Sequence, residues 1–349
     1  MPQRPHRPVL RLKMDTEQAD SGRYSYQCAS PPRSRGESSQ YSESKHFKTD
    51  CFISSIGRRA LHTLKNSHYG RVVAVFNQSL YLELDGGWCC LTAKQLGAGP
   101  FNISTVLPGR LEAIELNTGV VVSQGLFVGN QLKVAMTKPR IWRAPVIDWS
   151  IETLQQGIAV LDSLSLCCAP KDGLSRLVWP RSLEVLSSPE CRIAAPVFAD
   201  VIFWLRQALG VEIGVPPPKG ILKLLGLGPG LTPSGDDFLV GMFVALSLCH
   251  RRDLVSSVDY LIRPLLDYAT GPISRLHILS AMDGESGERF HGMINALLAG
   301  DYNAIASQLD LISLIGHSSG WDALAGAVTV LREVIITQSL FKWSGHGIG

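Results

Sequence analysis

Gly228-Pro-Gly-Leu-Thr-Pro-Ser-Gly-Asp-Asp-Phe-Leu-Val-Gly241 is the stretch on which the fold of this chain turns. Two glycines, a turn proline, two hydroxyls and two adjacent carboxylates lead directly into an apolar helix. Half of the pattern returns 85 residues later: Ser234-Gly-Asp-Asp-Phe-Leu-Val-Gly241 aligns with Ser319-Gly-Trp-Asp-Ala-Leu-Ala-Gly326. The shared form is S-G-x-D-x-L-x-G. A duplicated helix start, with a glycine-rich approach on one copy, points to a built binding site. The plain structural alternative is two capped, tightly packed helices. In that reading Ser234 with Asp237, and Ser319 with Asp322, are S-x-x-D capping pairs. The acids also suit the positive end of a helix dipole. The closing glycine of each copy clears one helical face for a neighbouring backbone.

Capping leaves Gly228, Gly230 and Asp236 without a reason. Glycines let a loop turn its N–H groups toward an anion, and a helix N-terminus adds more. Gly235, Thr232, Ser234, Ser318 and Ser319 extend the candidate phosphate- or substrate-binding set, with Asp322 from the second copy. No lysine follows the glycines, so this is not a P-loop. Two bare carboxylates repel phosphate, so the site calls for a divalent cation, a nearby Arg or Lys, or a substrate with amide donors. Asp236 and Asp237 are the candidate ligands for Mg²⁺, which tolerates one or two carboxylates. They are also candidate catalytic groups. His317 stands where Thr232 stands in the first copy; it is a candidate catalytic residue, as an anion donor or general acid, and the plain alternative is a histidine hydrogen-bonded to its loop.

Working outward, the period of the apolar residues divides the chain. Residues 50–149 read as β-rich. Arg71-Val-Val-Ala-Val-Phe76, Ser79-Leu-Tyr-Leu-Glu-Leu84, Gly119-Val-Val-Val122 and Leu132-Lys-Val-Ala135 are short strands separated by turns such as Asp85-Gly-Gly87 and Asn117-Thr-Gly119. This spacing predicts an antiparallel meander or small barrel. Gly97-Ala-Gly-Pro100 is a second glycine-rich loop, read as ordinary turn punctuation. From residue 150 to 349 the period becomes helical: Ile151, Leu154, Ile158 and Leu161 share one face, and Phe198, Val201, Ile202, Leu205 and Leu209 share another. Pro216-Pro-Pro218 interrupts before the glycine loop. The helix over 234–249 is apolar nearly all round and belongs at the centre. Later helices are expected over 251–269, 272–282, 287–299, 302–314 and 320–340. The fold class is α+β: an N-terminal β domain, then an all-helical domain carrying the glycine-rich site.

Composition narrows the function. The 349 residues suggest about two domains. Residues 1–48 hold nine Lys/Arg against five Asp/Glu, a charge of +4, and the remainder, 24 against 25, carries −1 of the chain's +3. Residues 1–49 read as a disordered basic tail. The rest is close to neutral, which gives no argument for nucleic acid. No apolar run follows the basic residues as in a secretory leader. None approaches the ~20 residues of a membrane span, the nearest being 238–249. The eight cysteines show no C-x-x-C and the nine histidines no H-E-x-x-H, so neither a disulfide framework nor zinc is expected. A cytoplasmic protein with reduced thiols follows. Gly316-His-Ser-Ser-Gly320 matches the nucleophile elbow of serine hydrolases. That fold needs an acid and then a histidine downstream, and the 29 residues after Gly320 are too few for its closing strands and helices.

The two stretches resemble the paired signatures of a bacterial family, G-P-G-L-T-P-S-x-D-D-x-L-x-G and then G-H-[ST]-S-G-x-D-x-L-x-G. Every fixed position is met. Weaker likeness appears at Gly97-Ala-Gly-Pro100 and Ser274-Arg-Leu-His-Ile-Leu279. The resemblance spans roughly residues 50–340. That family includes a subunit of oxamate carbamoyltransferase, which serves allantoin degradation in purine catabolism. The resemblance implies a hetero-oligomer with two other subunits, one similar to succinyl-CoA synthetase. It implies a reaction interconverting an N-carbamoyl compound plus phosphate with carbamoyl phosphate plus an amide or amine. Two alternatives stand beside it: a non-catalytic assembly or substrate-binding subunit, and a Mg²⁺-nucleotide-binding protein.

Overall fold

The computed structural model describes residues 23–24, 49–107, 111, 113–136, 138–179, 188–210 and 214–344. The chain divides into two compact units, Met1–Arg143 and Ala144–Gly349. Of the segment expected as a tail, Arg23–Tyr24 forms a short strand and Thr49 opens another. The remainder lies outside the described residues.

The first unit is a β-barrel. Its elements are β1 (Arg23–Tyr24), β2 (Thr49–Gly57), α1 (Arg58–Lys65), β3 (Tyr69–Val75), β4 (Ser79–Leu84), β5 (Gly87–Ala93), β6 (Asn102–Thr105), β7 (Gly119–Val122), β8 (Gly125–Val128), β9 (Leu132–Ala135) and β10 (Arg140–Trp142). The strand order β3-β4-β5-β6-β2-β9-β8-β7 closes on itself because β7 pairs back with β3. β1 and β10 attach outside the ring, to β3 and β2. Closure removes the exposed strand edges. The alternation read from the sequence fills the interior: Leu80, Leu82 and Leu84 of β4 point inward beside Val72, Leu91, Val120, Leu126 and Val134. Most of the ring is antiparallel, as expected. The seams β5–β6 and β2–β9 are parallel.

Gly97-Ala-Gly-Pro100 has a local structural job. The Pro100 carbonyl accepts the first N–H groups of α1, from Arg59 at 2.9 Å and Ala60 at 3.1 Å. Gly57 lets this loop in, because a Cβ there would stand 2.1 Å from the Gly99 oxygen.

The second unit is helical: α2 (Ile151–Cys168), α3 (Ser175–Val178), α4 (Pro189–Gly210), α5 (Ser234–Leu248), α6 (Arg252–Ile262), α7 (Leu266–Ala269), α8 (Pro272–Met282), α9 (Glu288–Ala299), α10 (Tyr302–Ile312) and α11 (Ser319–Ser344). Ser150 and Thr153 form a reciprocal capping box on α2. The single helix expected over 251–269 is split into α6 and α7. Pro264 lies in the 3₁₀ turn between them, where it cannot donate an α-helical N–H. α5 is buried along its length from Ser234 to Leu246, as its all-round apolarity required.

Among the described residues, α4 is the helix long and apolar enough to cross a membrane, rather than the 238–249 run. One face of α4 is buried in the helical core, through Cys191, Ala194, Val197, Val201, Trp204, Leu205 and Ala208. The cysteines at positions 51, 89, 90, 168, 191 and 249 are free.

Candidate functional site

The two S-G-x-D-x-L-x-G segments start α5 and α11, and the two helices cross at the segments' closing glycines. A Cβ on Gly241 would lie 1.7 Å from the Ala323 carbonyl oxygen. A Cβ on Gly326 would lie 1.9 Å from the Phe238 oxygen. Ala323 and Phe238 occupy equivalent places in the two copies, so the crossing is pseudo-two-fold. Thr232 Oγ1 and Ser319 Oγ meet at 3.0 Å across it.

Ser234 does not cap its own helix as the S-x-x-D reading expected. The N-cap of α5 is Pro233, without a side-chain bond, and Ser234 sits one residue inside the helix. At the start of α5 the N–H groups of Asp236 and Asp237 donate to the Pro233 carbonyl, at 2.9 and 3.0 Å. The hydroxyls are traded across the crossing instead: Ser319 acts on Asp237, and Ser234 acts on Asp322.

Asp236 was expected to be free for ligand or metal, and it is enclosed. Its Oδ1 accepts the Gly226 N–H at 2.8 Å. Its Oδ2 accepts the Ser274 hydroxyl at 2.7 Å and the Thr270 hydroxyl. The side chain ties the approach loop to the start of α8, and its oxygens are committed to these three donors. Burial raises its pKa, and the three hydrogen bonds oppose the rise. Among the described residues no group of three or more His, Cys, Asp or Glu side chains is placed to hold a metal.

Asp237 and Asp322 are different. Both are buried, and each interacts with the other's charge or hydroxyl neighbours across the crossing. Asp322 Oδ1 accepts the N–H groups of Leu174 at 2.7 Å and Ser175 at 3.1 Å. Gly173, at φ +79°, makes room for that carboxyl, since a Cβ there would stand 2.5 Å from Oδ1. The Oδ2 atoms of both aspartates are buried without a hydrogen-bond partner, as is the Ser175 hydroxyl. Desolvation pushes Asp322 up to about 6, against the pull of the Ser234 and Ser318 hydroxyls and the two N–H groups. Desolvation also raises Asp237 well above the usual range. The Ser319 and Thr232 hydroxyls pull it back, and the Asp322 and Asp236 charges add to the rise.

The approach loop is the open part. Gly228 (φ +111°) backs onto Ser234, whereas Gly230 (φ +97°) faces open space with no atom within 4 Å of its Cβ position. The N–H groups expected to cradle an anion at the helix starts are largely spent. Gly235 donates to the Leu227 carbonyl, Gly320 to Ile315 and Asp322 to Ser318. His317 lies on the surface, with Nε2 3.2 Å from Asp172 Oδ2, and Ser318 is half-buried.

The structure therefore brings Thr232, Ser234, Asp237, Ser318, Ser319 and Asp322 together. It places Asp236 in a sealed bond network and His317 at the rim. The sequence reading missed Asp172, Gly173, Ser175 and Thr270. The Asp172-Gly173 dipeptide ahead of a helix was the available signal, as a turn former. A concavity of about 660 Å³ in this unit lies elsewhere, among Trp149, Leu209, Cys249, Arg251, Val334 and Gln338.

Residues 224–331 match a family model described as oxamate carbamoyltransferase subunit AllH. The matched segment starts just before the approach loop and ends within α11, so it contains both helix starts and their crossing. The family resemblance carried by the two signatures is shown over this segment. No curated protein and no solved structure matches the chain.

Proposed function

We propose that this chain, whose residues 224–331 carry the signature of the oxamate carbamoyltransferase subunit family, is a cytoplasmic subunit of a carbamoyltransferase. It works with other subunits, one of them similar to succinyl-CoA synthetase. The reaction exchanges an N-carbamoyl compound plus phosphate with carbamoyl phosphate plus an amide. In that exchange a phosphate oxygen bonds the carbamoyl carbon, the carbon–nitrogen bond breaks, and the departing nitrogen takes a proton. The observation that carries the reading is the coincidence of the family match with the paired helix starts. Gly230 and His317 are exposed there, with Thr232, Ser318 and Ser319 half-buried beside them, and these groups would meet phosphate or carbamoyl phosphate.

A second reading, in which the chain organises the complex and the chemistry is done elsewhere, is favoured by one observation. The hydrogen bonds of the motif close largely on themselves, through Asp236 and the helix-start N–H groups. Co-expression with the neighbouring gene products, followed by a phosphate-dependent assay for carbamoyl phosphate, tests both. Loss of turnover in Gly230→Val or His317→Ala complexes that still assemble supports a site on this chain. Full turnover in both variants supports the assembly reading. Failure of the chain to join any complex, or to affect such turnover, rejects both.

A further inference from the structure

Asp237 and Asp322 present a charge problem that the protein alone leaves open. Asp322 is 0 % exposed and Asp237 is 7 % exposed. Buried charges are ordinarily paired or bound to a metal, because an isolated carboxylate loses far more hydration than hydrogen bonds return. The groups acting on this pair are hydroxyls, backbone N–H groups and other carboxyls. Among the described residues, no lysine, arginine or histidine is one of them. The Oδ2 atom of each aspartate is left without a partner.

A third, separate atom is left the same way. Ser175 is 0 % exposed, its hydroxyl has no partner, and its own N–H holds Asp322 at 3.1 Å. Gly173 leaves room for the Asp322 carboxyl, and the Leu174 N–H holds its Oδ1 at 2.7 Å.

We propose that Asp237 and Asp322, with the hydroxyls of Ser175, Ser234 and Ser319, hold a divalent cation at the crossing of α5 and α11. The donors are all oxygen, which suits a hard ion such as Mg²⁺ or Ca²⁺ over a thiophilic metal. Two carboxylates balance a doubly charged ion. Mg²⁺ in particular accepts one or two carboxylates and completes its shell with weaker oxygens or water. The site differs from the Asp236–Asp237 pair suggested by the sequence. Asp236 gives way to Asp322, the counterpart of Asp237 across the pseudo-two-fold, so each copy of the repeat supplies one carboxylate. The proposal does not rest on carbamoyl transfer.

The test uses the full chain stripped with a chelator and then titrated calorimetrically with MgCl₂ and with CaCl₂ at constant ionic strength. Thermal melts are run in parallel. Saturable one-to-one binding of either ion, with a rise in Tm, is expected for the wild type. Asp322→Asn and Asp237→Asn each remove a charge from a crowded pair, so they should fold and lose at least tenfold in affinity. Ser175→Ala should weaken binding several-fold, and it serves if an aspartate variant fails to fold. Asp310→Asn, exposed on α10 and away from the crossing, should bind as the wild type does. Absence of saturable binding of both ions to the wild type overturns the site and leaves the pair sharing a proton. Binding that survives unchanged in the aspartate and Ser175 variants also overturns it.

Discussion

Gly241 and Gly326 perform the same task for each other's helix. Each admits a main-chain carbonyl of the partner helix into the space a side chain would occupy, Ala323 in one case and Phe238 in the other. The repeated L-x-G is thus a reciprocal backbone contact. It brings the beginnings of α5 and α11 close enough for Ser319 to reach Asp237 and for Ser234 to reach Asp322. The chemistry of the crossing depends on the two residues that carry no side chain.

Replacing either glycine by alanine should therefore be severe. At 1.7 and 1.9 Å the obstacle is backbone, which cannot rotate aside, so the helices must part. A cost of roughly 3 kcal/mol or more is expected for each, at the upper end of overpacking changes. The pseudo-two-fold predicts similar values for Gly241→Ala and Gly326→Ala. Denaturant unfolding measures both. A near-neutral result at one position with a large one at the other would deny the reciprocity.

Asp236→Asn should lower stability by about 2–3 kcal/mol. The amide keeps one acceptor oxygen and turns an NH₂ toward a donor, leaving the Gly226 N–H or the Thr270 and Ser274 hydroxyls without their acceptor. Equilibrium unfolding of this variant beside Asp172→Asn, a surface change, checks it. Unaltered stability would mean that the enclosed network contributes little.

The legible parts of the sequence were those written at short range. Alternation in Ser79-Leu-Tyr-Leu-Glu-Leu84 placed Leu80, Leu82 and Leu84 inside a barrel. The unbroken apolarity of 234–249 placed α5 at the centre. The paired glycines announced a close approach before any partner was known. Partners far apart in the chain stayed hidden. The residues that hold Asp322 lie 148 and 147 positions away, and two of those that hold Asp236 lie 34 and 38 away. A local motif rule therefore assigned Ser234 to its own helix N-cap, when its hydroxyl serves the other copy. For the same reason Asp236, matched only by Trp321, looked free for a ligand when its neighbours had already enclosed it. The parallel seams β5–β6 and β2–β9 were equally invisible, since alternation is the same for either direction of pairing.

Gly230→Ala separates backbone strain from contact with a ligand. The glycine sits at φ +97° with open space around its Cβ position, so the substitution meets no steric obstacle. The left-handed backbone should cost about 1–2 kcal/mol. Under the proposed function, turnover of the assembled complex should fall by more than that small destabilisation explains. Measuring Tm and phosphate-dependent turnover on the same preparation gives both quantities. A stability loss with unchanged turnover would leave the loop outside the reaction.

His291 should make the helical unit acid-sensitive. The side chain is 1 % exposed, and its Nε2 accepts the Ser286 N–H at 3.1 Å, which a protonated nitrogen cannot do. Burial depresses its pKa from 6.5 to about 4. The folded value lies below the unfolded one, so the unfolded chain takes up the proton first as pH falls. The contribution is present above pH 6.5 and is lost progressively toward pH 4. It amounts to on the order of 3 kcal/mol if the whole shift is expressed. Asp322 slopes the other way in much of the same window. Its folded pKa is raised from 3.8 to about 6, so the stability it contributes falls as pH rises through that range. The two effects oppose each other, and the wild-type profile alone does not separate them. The difference between wild type and His291→Gln does, because the Asp322 contribution cancels and a glutamine oxygen can accept the Ser286 N–H without titrating. Urea unfolding of both proteins between pH 4 and 7, in the presence of chelator, should show the wild type losing ground to the variant as the solution is acidified. A constant difference across that range would show that His291 does not titrate differently in the folded and unfolded chains.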